Sequence, residues 1–404
     1  MNVAAANLEK DAEALLPDLI ALRRAIHADP ELGLQTPRTI AKVRQALAGL
    51  PLEYREGPST SGIVAILRGA GVGRGRNIVL RGDMDALPMR EESGVPFSSQ
   101  VEGAMHACGH DGHVAMLVGA ARLLCARRDR LNGDVMFMFQ PGEEGWHGAR
   151  FMLEDGLLDP LPDAAFALHI MPNGPHGIFT GRAGPLLASA DQLRIAIKGR
   201  GGHASMPHDA LDPIPIACEI VMAIQSWVTR RVSASDPAVV TIAKIEAGTT
   251  YNVIPESAHL LGTIRTLSPA TRAAVHAGLT RLAEGIAAAH GASAVVEIEQ
   301  GFPVTICDPR AVALGRAAVG QLFGADSWMT LPAPIMGAED FSYVLEKVPG
   351  AMLFLGAAAK GSDWRSCCGL HSNRMVLDET VLARGAAAHA AIAERFLDDG
   401  FDEG

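Results

Sequence analysis

The chain has 404 residues, of which 48% are hydrophobic and 20% charged, and its formal net charge is −10 at pH 7. This length indicates two or three domains, and an acidic chain without a basic run is not expected to bind nucleic acid. The sequence has no signal-peptide pattern at its N-terminus and no apolar run near the ~18 residues of a membrane span, so we expect no membrane partner.

Helices and strands are predicted to alternate from the start of the chain. Apolar residues recur at helical spacing over residues 8–28 and 39–50, and strand patterns follow at 62–67 and 77–80. The glycine-rich segment 69–75 between these strands lacks the Lys-Ser pair and the helix of a phosphate loop. We therefore interpret it as a hairpin connection.

Acidic or imidazole side chains occur at or just after the ends of three predicted strands, 77–80, 134–139 and 164–170. The alternation of strand and helix predicts an α/β fold with a mostly parallel sheet and helices on both faces. Active sites of such sheets lie at the carboxyl ends of the strands. The polar residues at these ends are Asp85, Glu143, Glu144 and His169.

The loop 105–113 contains three histidines, one cysteine and one aspartate. Thiolate, imidazole and carboxylate are the donors that hold zinc-like divalent ions. The loop leads into a helix-like apolar pattern, so its side chains can converge on one point. The alternative interpretation is a histidine-rich turn with one buried cysteine.

The middle of the chain predicts a different kind of domain. Residues 187–300 follow the order βαββαβ, which is typical of a four-stranded antiparallel sheet backed by two helices, the ferredoxin-like arrangement. After residue 301 the chain returns to long apolar helices and a buried strand. We expect a catalytic domain formed by residues 1–186 and 301–404, into which residues 187–300 are inserted.

Five motifs in order resemble those of the M20 metallopeptidase superfamily, and within it the amidohydrolase branch of hippurate hydrolases, N-acyl-amino-acid amidohydrolases and auxin-conjugate hydrolases. The resemblance covers nearly the whole chain and implies the same fold, an α/β catalytic domain split by an inserted lid domain through which members commonly dimerise. The motifs are residues 23–27 (RRAIH), 81–88 (RGDMDALP), 106–111 (HACGHD), 140–145 (QPGEEG) and 337–342 (GAEDFS).

The resemblance also implies roles for residues of the catalytic domain. Two divalent ions are expected, with zinc favoured by the donor types and manganese, nickel or cobalt as alternatives. Glu143 is the expected general base, and Asp85 is expected to orient a ligand histidine. The implied metal ligands are Cys108, His110, Glu144, His169 and His371.

Three residues of the inserted domain match lid residues of the family. His203 is expected to reach the active site of a partner subunit and to hydrogen-bond the oxyanion of the tetrahedral intermediate. Asn252 and Arg265 are expected to bind substrate, since an arginine pairs well with the carboxylate of an amino acid. A homodimer through the lid, or a tetramer, is therefore expected.

Together these features predict a dinuclear metal-dependent amidohydrolase that cleaves N-acyl amino acids into a carboxylate and a free amino acid. A dipeptidase and a deacetylase of N-acetyl-diaminopimelate type are the alternatives among enzymes. A non-catalytic metal-binding protein is disfavoured, because Glu143, Asp85 and His203 are not needed merely to hold metal. The six cysteines are scattered rather than arranged as a disulfide framework, so a cytoplasmic location is expected.

Overall fold

The computed structural model describes residues 3–71 and 75–401. The chain forms two compact units: unit 1 comprises Met1–Leu186, Ile306–Ala333 and Asp340–Gly404, and unit 2 comprises Leu187–Thr305 and Pro334–Glu339. Of the helices in these described ranges, none combines the length and the apolar composition needed to cross a bilayer.

Strands and helices are interspersed along both units. The strands are β1 (Leu52–Glu56), β2 (Ile63–Leu67), β3 (Arg76–Asp83), β4 (Gly133–Gln140), β5 (Ala164–Met171), β6 (Phe179–Gly181), β7 (Gly184–Leu187), β8 (Asp191–Lys198), β9 (Gly202–His203), β10 (Ala238–Ala247), β11 (Val253–Ile254), β12 (Ser257–Thr266), β13 (Ser293–Gln300), β14 (Thr305–Cys307), β15 (Trp328–Thr330) and β16 (Gly350–Gly356). The α-helices are α1 (Val3–His27), α2 (Pro37–Ala46), α3 (His110–Cys125), α4 (Gly148–Glu154), α5 (Pro213–Arg231), α6 (Pro269–Ala289), α7 (Pro309–Phe323), α8 (Ser342–Leu345) and α9 (Val381–Asp399).

Unit 1 is built on an eight-stranded sheet in the order β1-β2-β4-β3-β5-β16-β6-β15. Its four central strands, β4, β3, β5 and β16, are parallel. The predicted mostly parallel α/β fold is therefore confirmed. The predicted hairpin between β2 and β3 is wrong, because β4 lies between them and pairs with both. The apolar character of all three strands satisfies either order, so the sequence pattern alone does not fix which strands are neighbours.

Close packing of helices fixes the position of α3, which begins at His110. Nearly every residue of α3 is buried. At Gly119 a Cβ atom would lie 2.7 Å from the Cβ of Ala386 in α9 and 3.0 Å from Leu19 of α1. The absence of a side chain there lets the three helices approach closely, and α3 also contacts β3 and β5.

Unit 2 contains the predicted order βαββαβ, formed by β8, α5, β10, β12, α6 and β13. Its antiparallel sheet has the strand order β10-β12-β8-β13. Alternate residues of β8, namely Leu193, Ile195 and Ile197, are buried in one apolar cluster with residues of α5 and α6. The period of two in the sequence thus corresponds to a sheet with one face covered by helices.

Buried charges connect α1 to the first turn of α3. His27 contacts the Asp111 carboxylate through Nδ1 at 2.7 Å and Glu91 through Nε2 at 3.1 Å. Arg23 Nε donates to the same Asp111 carboxylate at 2.8 Å. Burial opposes a charge on His27, but the Asp111 carboxylate outweighs it, and the pKa of His27 is raised to about 9.

We expect the buried pair of His27 and Asp111 to stabilise the folded protein at neutral pH. This stabilisation should disappear at alkaline pH. A histidine whose pKa is raised on folding stabilises the folded state below its unfolded pKa, ~6.5, and this stabilisation disappears as the pH rises through its folded pKa. Between pH 7 and pH 10 the free energy of unfolding should therefore fall about 2 kcal/mol more in wild type than in His27→Gln. Urea unfolding at both pH values measures this difference, and equal losses in the two proteins would contradict the charged state of His27.

Candidate metal centre

The predicted catalytic residues of unit 1 meet at the carboxyl ends of its central strands. Asp85 follows β3, Glu143 and Glu144 follow β4, and His169 lies in β5. Gly109, at the start of α3, has φ +86°, a left-handed conformation that glycine adopts without strain. This turn places Cys108 and His110 at the same edge of the sheet.

Cys108, His110 and His169 form the first group of donors, and one ligand atom from each lies within 4.8 Å of the others. The Cys108 Sγ atom is 3.5 Å from His169 Nε2. His110 Nδ1 donates to the carbonyl of Asp85 at 2.8 Å, and His169 Nδ1 donates to the carbonyl of Ile170 at 2.8 Å. Each contact fixes a proton on Nδ1, so the Nε2 atoms are the nitrogens that face the centre.

The second group consists of Cys108, Glu144 and His371, again with donor atoms within 4.8 Å. His371 Nε2 lies 3.2 Å from Glu144 Oε1. The His371 backbone has φ +64°, and its N–H donates to the carbonyl of Ala107 at 2.8 Å. This hydrogen bond holds the His371 loop against the segment that carries Cys108, which belongs to both groups.

Several donors of this centre carry protons that a bound cation would displace. Burial lowers the pKa of His110, but the Asp83 carboxylate outweighs burial and raises that pKa well above its ordinary value. Burial raises the pKa of the Cys108 thiol and lowers the pKa of His169 well below its ordinary value. Hydrogen bonds with Cys108 and Glu144 raise the pKa of His371 to about 10. The buried His110 Nε2 has no hydrogen-bond partner among the described residues. A cation would supply that partner, and its binding would release protons from the thiol and from His371.

The Asp85 carboxylate holds the loop that carries the two adjacent glutamates. Its oxygens accept hydrogen bonds from the backbone N–H of Glu143 at 2.9 Å and of Glu144 at 3.0 Å. Its Oδ1 is also 3.5 Å from His110 Nδ1, although the shorter contact to that nitrogen comes from the Asp85 carbonyl. Glu143 is buried, with Oε2 4.0 Å from His110 Nε2.

A buried polar network behind the centre was not predicted from the sequence. His113 Nδ1 hydrogen-bonds Asp83, while His113 Nε2 accepts from the backbone N–H of Ile170 at 2.8 Å. Both nitrogens of His113 are therefore used, and this ring supports the centre without a free donor atom. Arg81 donates to Asp83 and, at 3.0 Å, to Asp340. The sequence signal that could have indicated this network is the alternation of side chains in β3, because it places Arg81 and Asp83 on one face of the sheet.

The remaining predicted residues lie in unit 2. His203 of β9 pairs with Val253 of β11, and the carbonyl of Asn252 accepts from the N–H of Ala204 at 3.1 Å, so His203 and Asn252 are neighbours. Arg265 lies in β12, opposite Val239 of β10. Burial lowers the pKa of Arg265.

The two donor groups share a thiol, and they lie at the carboxyl ends of parallel strands next to a buried carboxylate. This arrangement is typical of a hydrolase that uses two metal ions. The model of peptidase family M20/M25/M40 matches residues 79–395. The chain belongs to this family and is a metal-dependent amidohydrolase.

Relatives of known name match over almost the whole length. The chain is 39% identical to the N-acetylcysteine deacetylase of Bacillus subtilis over 376 residues, 93% of this chain and 96% of the relative. It is 38% identical to thermostable carboxypeptidase 2 of Saccharolobus solfataricus over 395 residues, 96% and 98% of the two chains.

A solved structure supports the same assignment. The YXEP protein of Bacillus subtilis, a dinuclear metal-binding peptidase of the M20 family, superimposes with a TM-score of 0.83 and 35% sequence identity. The match covers 96% of this chain and 99% of that protein.

Proposed function

We propose that this enzyme hydrolyses the amide bond of N-acyl amino acids, releasing a carboxylate and a free amino acid. The observation that carries the proposal is the pair of donor groups sharing Cys108, with the buried Glu143 carboxylate 4.0 Å from His110. The 39% identity with an N-acetylcysteine deacetylase supports the substrate class. We infer a small-molecule substrate, a cytoplasmic location and a homodimer formed through unit 2.

Cys108, His110, Glu144, His169 and His371 would hold two divalent ions. One thiolate with three imidazoles suits zinc, and manganese, nickel and cobalt are the alternatives. Such ions polarise a scissile carbonyl and make a water molecule more acidic. The hydrogen bonds from His110 Nδ1 and His169 Nδ1 to backbone carbonyls orient the rings for this role.

Glu143 is the residue that moves the proton. Its carboxylate takes a proton from the attacking water and delivers it to the nitrogen of the leaving amino acid. Asp85 is a positioning residue, because its carboxylate fixes the backbone of Glu143 and Glu144 by two hydrogen bonds.

Residues of unit 2 would complete the site. The Nδ1 atom of His203 accepts from the backbone N–H of Ser205 at 3.1 Å, so in the neutral ring the proton is on Nε2. The exposed imidazole thus has a donor suited to the oxyanion that forms at the carbonyl, a role for which one donor contributes ~3 kcal/mol. Arg265 and Asn252 would bind the carboxylate and amide of the substrate.

A complementation experiment tests whether His203 serves the partner subunit. Glu143→Ala chains keep a usable His203, and His203→Ala chains keep a usable Glu143. Mixed dimers should therefore regain one site of two, and activity should approach about half the wild-type value per mixed dimer. Co-expression with two affinity tags isolates these dimers. If purified mixed dimers are no more active than either parent, His203 does not act across the interface.

The relative named as a carboxypeptidase favours peptide substrates as the second candidate. Diamino acids acylated on one nitrogen are a variant of the first candidate substrate class, the N-acyl amino acids. A panel containing N-acetyl and N-benzoyl amino acids, dipeptides and N-acetyl-diaminopimelate, with release of free amino acid as the readout, separates these possibilities. We expect higher kcat/KM for N-acyl amino acids, whereas a preference for dipeptides would reject the proposal.

A further inference from the structure

A cavity in unit 1 has no part in the proposed hydrolysis. Its volume is 530 Å³, within the range of small-molecule sites, and Arg182, Arg316 and Trp328 are among its lining residues. Because β6 runs antiparallel to β16, the chain after β6 continues towards the amino ends of the central strands. The cavity therefore lies away from the loops that carry the metal-binding residues.

The two arginines of this cavity form no ion pair within the described part of the chain. The Nε and Nη1 atoms of Arg182 are buried and lack hydrogen-bond partners, and Arg316 forms no ion pair or hydrogen bond with any residue in the ranges 3–71 and 75–401. Other arginines of this acidic protein are paired with carboxylates, as Arg310 of α7 is with Asp308, the residue that precedes the helix. Two guanidinium groups in one concave surface favour an anion, because their positive charges repel each other and the buried donors of Arg182 are unsatisfied.

Apart from Thr330, the rest of the lining is apolar, and it leaves room for a flat group. Ala313, Ala317 and Gly320 stand at positions i, i+4 and i+7 of α7, so they form a single small-residue face of the helix. A Cβ atom at Gly320 would meet nothing within 4 Å. Trp328 borders the same space, and its Nε1 donates to Thr330 at 3.2 Å, which fixes the ring.

We propose that this cavity binds a small organic anion that joins a carboxylate or phosphate group to a planar apolar group. The arginines would bind the anionic group, bidentately where geometry allows. The planar group would lie between Trp328 and the small-residue face of α7. Aromatic stacking and a charge-assisted pair are each strong contributors to small-ligand affinity.

Calorimetric titration of the metal-loaded enzyme with benzoate and with phenyl phosphate tests the proposal. Substituting Arg182→Gln or Arg316→Gln should raise the Kd of the preferred anion at least about tenfold. Gly320→Phe should abolish this binding by filling the cavity without changing the charge. Arg194→Gln is the matched control, because Arg194 is exposed in unit 2 and paired with Glu299. It should bind like wild type.

The stronger of the two anions identifies carboxylate or phosphate as the recognised group, and benzyl alcohol should bind much more weakly than either. Anion binding at the metal centre is unaffected by these substitutions, so only the component lost in the variants belongs to the cavity. Because Arg316 is exposed, Arg316→Gln should keep the wild-type melting temperature and hydrolytic rate. Unchanged affinity for both anions in all three cavity variants, or equal affinity for benzyl alcohol, would overturn the proposal.

Discussion

Replacing Glu143 with glutamine is expected to lower kcat by about 10²–10⁴-fold while the enzyme keeps its metal. The amide has nearly the shape of the carboxylate but cannot take a proton from water at neutral pH. The backbone N–H of Glu143 would still donate to Asp85, so the loop that carries Glu144 should stay in place. Steady-state kinetics and elemental analysis of the same preparation measure both quantities.

Glu346→Gln is the matched control for this substitution, since Glu346 is an exposed glutamate that follows α8. It should keep wild-type kcat and metal content. A Glu143→Gln enzyme with more than about a tenth of wild-type kcat would exclude Glu143 as the general base. If metal is lost together with activity, Glu143 is a ligand instead.

Replacing Cys108 with alanine is expected to reduce the content of both metal ions. Cys108 belongs to both donor groups, whereas His169 belongs only to the first and His371 only to the second. His169→Ala and His371→Ala should therefore each weaken mainly one ion. Elemental analysis after dialysis against metal-free buffer should show the larger loss for Cys108→Ala.

Cys218→Ala is the control for loss of a thiol, because Cys218 is exposed on α5 of unit 2. It should retain the wild-type metal content. Retention of both ions by Cys108→Ala would show that the thiolate is not shared. In that case Glu143, which lies with His110 and Glu144 in a further donor group, becomes the alternative bridging residue.

Local patterns in the sequence predict the elements of the fold and the positions of the polar side chains. The strand before Glu143 is continuously apolar, and the structure places it inside the sheet, between β2 and β3, as this pattern predicts. The order of strands in the sheet was not predicted from these patterns: β2 and β3 are adjacent in sequence, yet β4 lies between them. Strand order depends on long-range pairing, which leaves little trace in short segments.

The supporting network was missed for a related physical reason. Asp83 and Asp85 both follow an apolar run, but only the three-dimensional structure shows that Asp83 contacts His113 while Asp85 accepts from the Glu143 backbone. The contact of His110 with a backbone carbonyl has no side-chain signature at all. The cavity lined by Arg182 and Arg316 is formed by residues that are distant in sequence, so no local sequence motif predicts it.

Metal titration of the chelated enzyme is the most direct test of a dinuclear amidohydrolase. Enzyme freed of metal should release no amino acid from N-acetyl or N-benzoyl amino acids. Stepwise addition of zinc should restore release, with activity saturating at two ions per chain. Full activity without metal, saturation at one ion, or no hydrolysis of any N-acyl amino acid at saturating metal would contradict the proposed function.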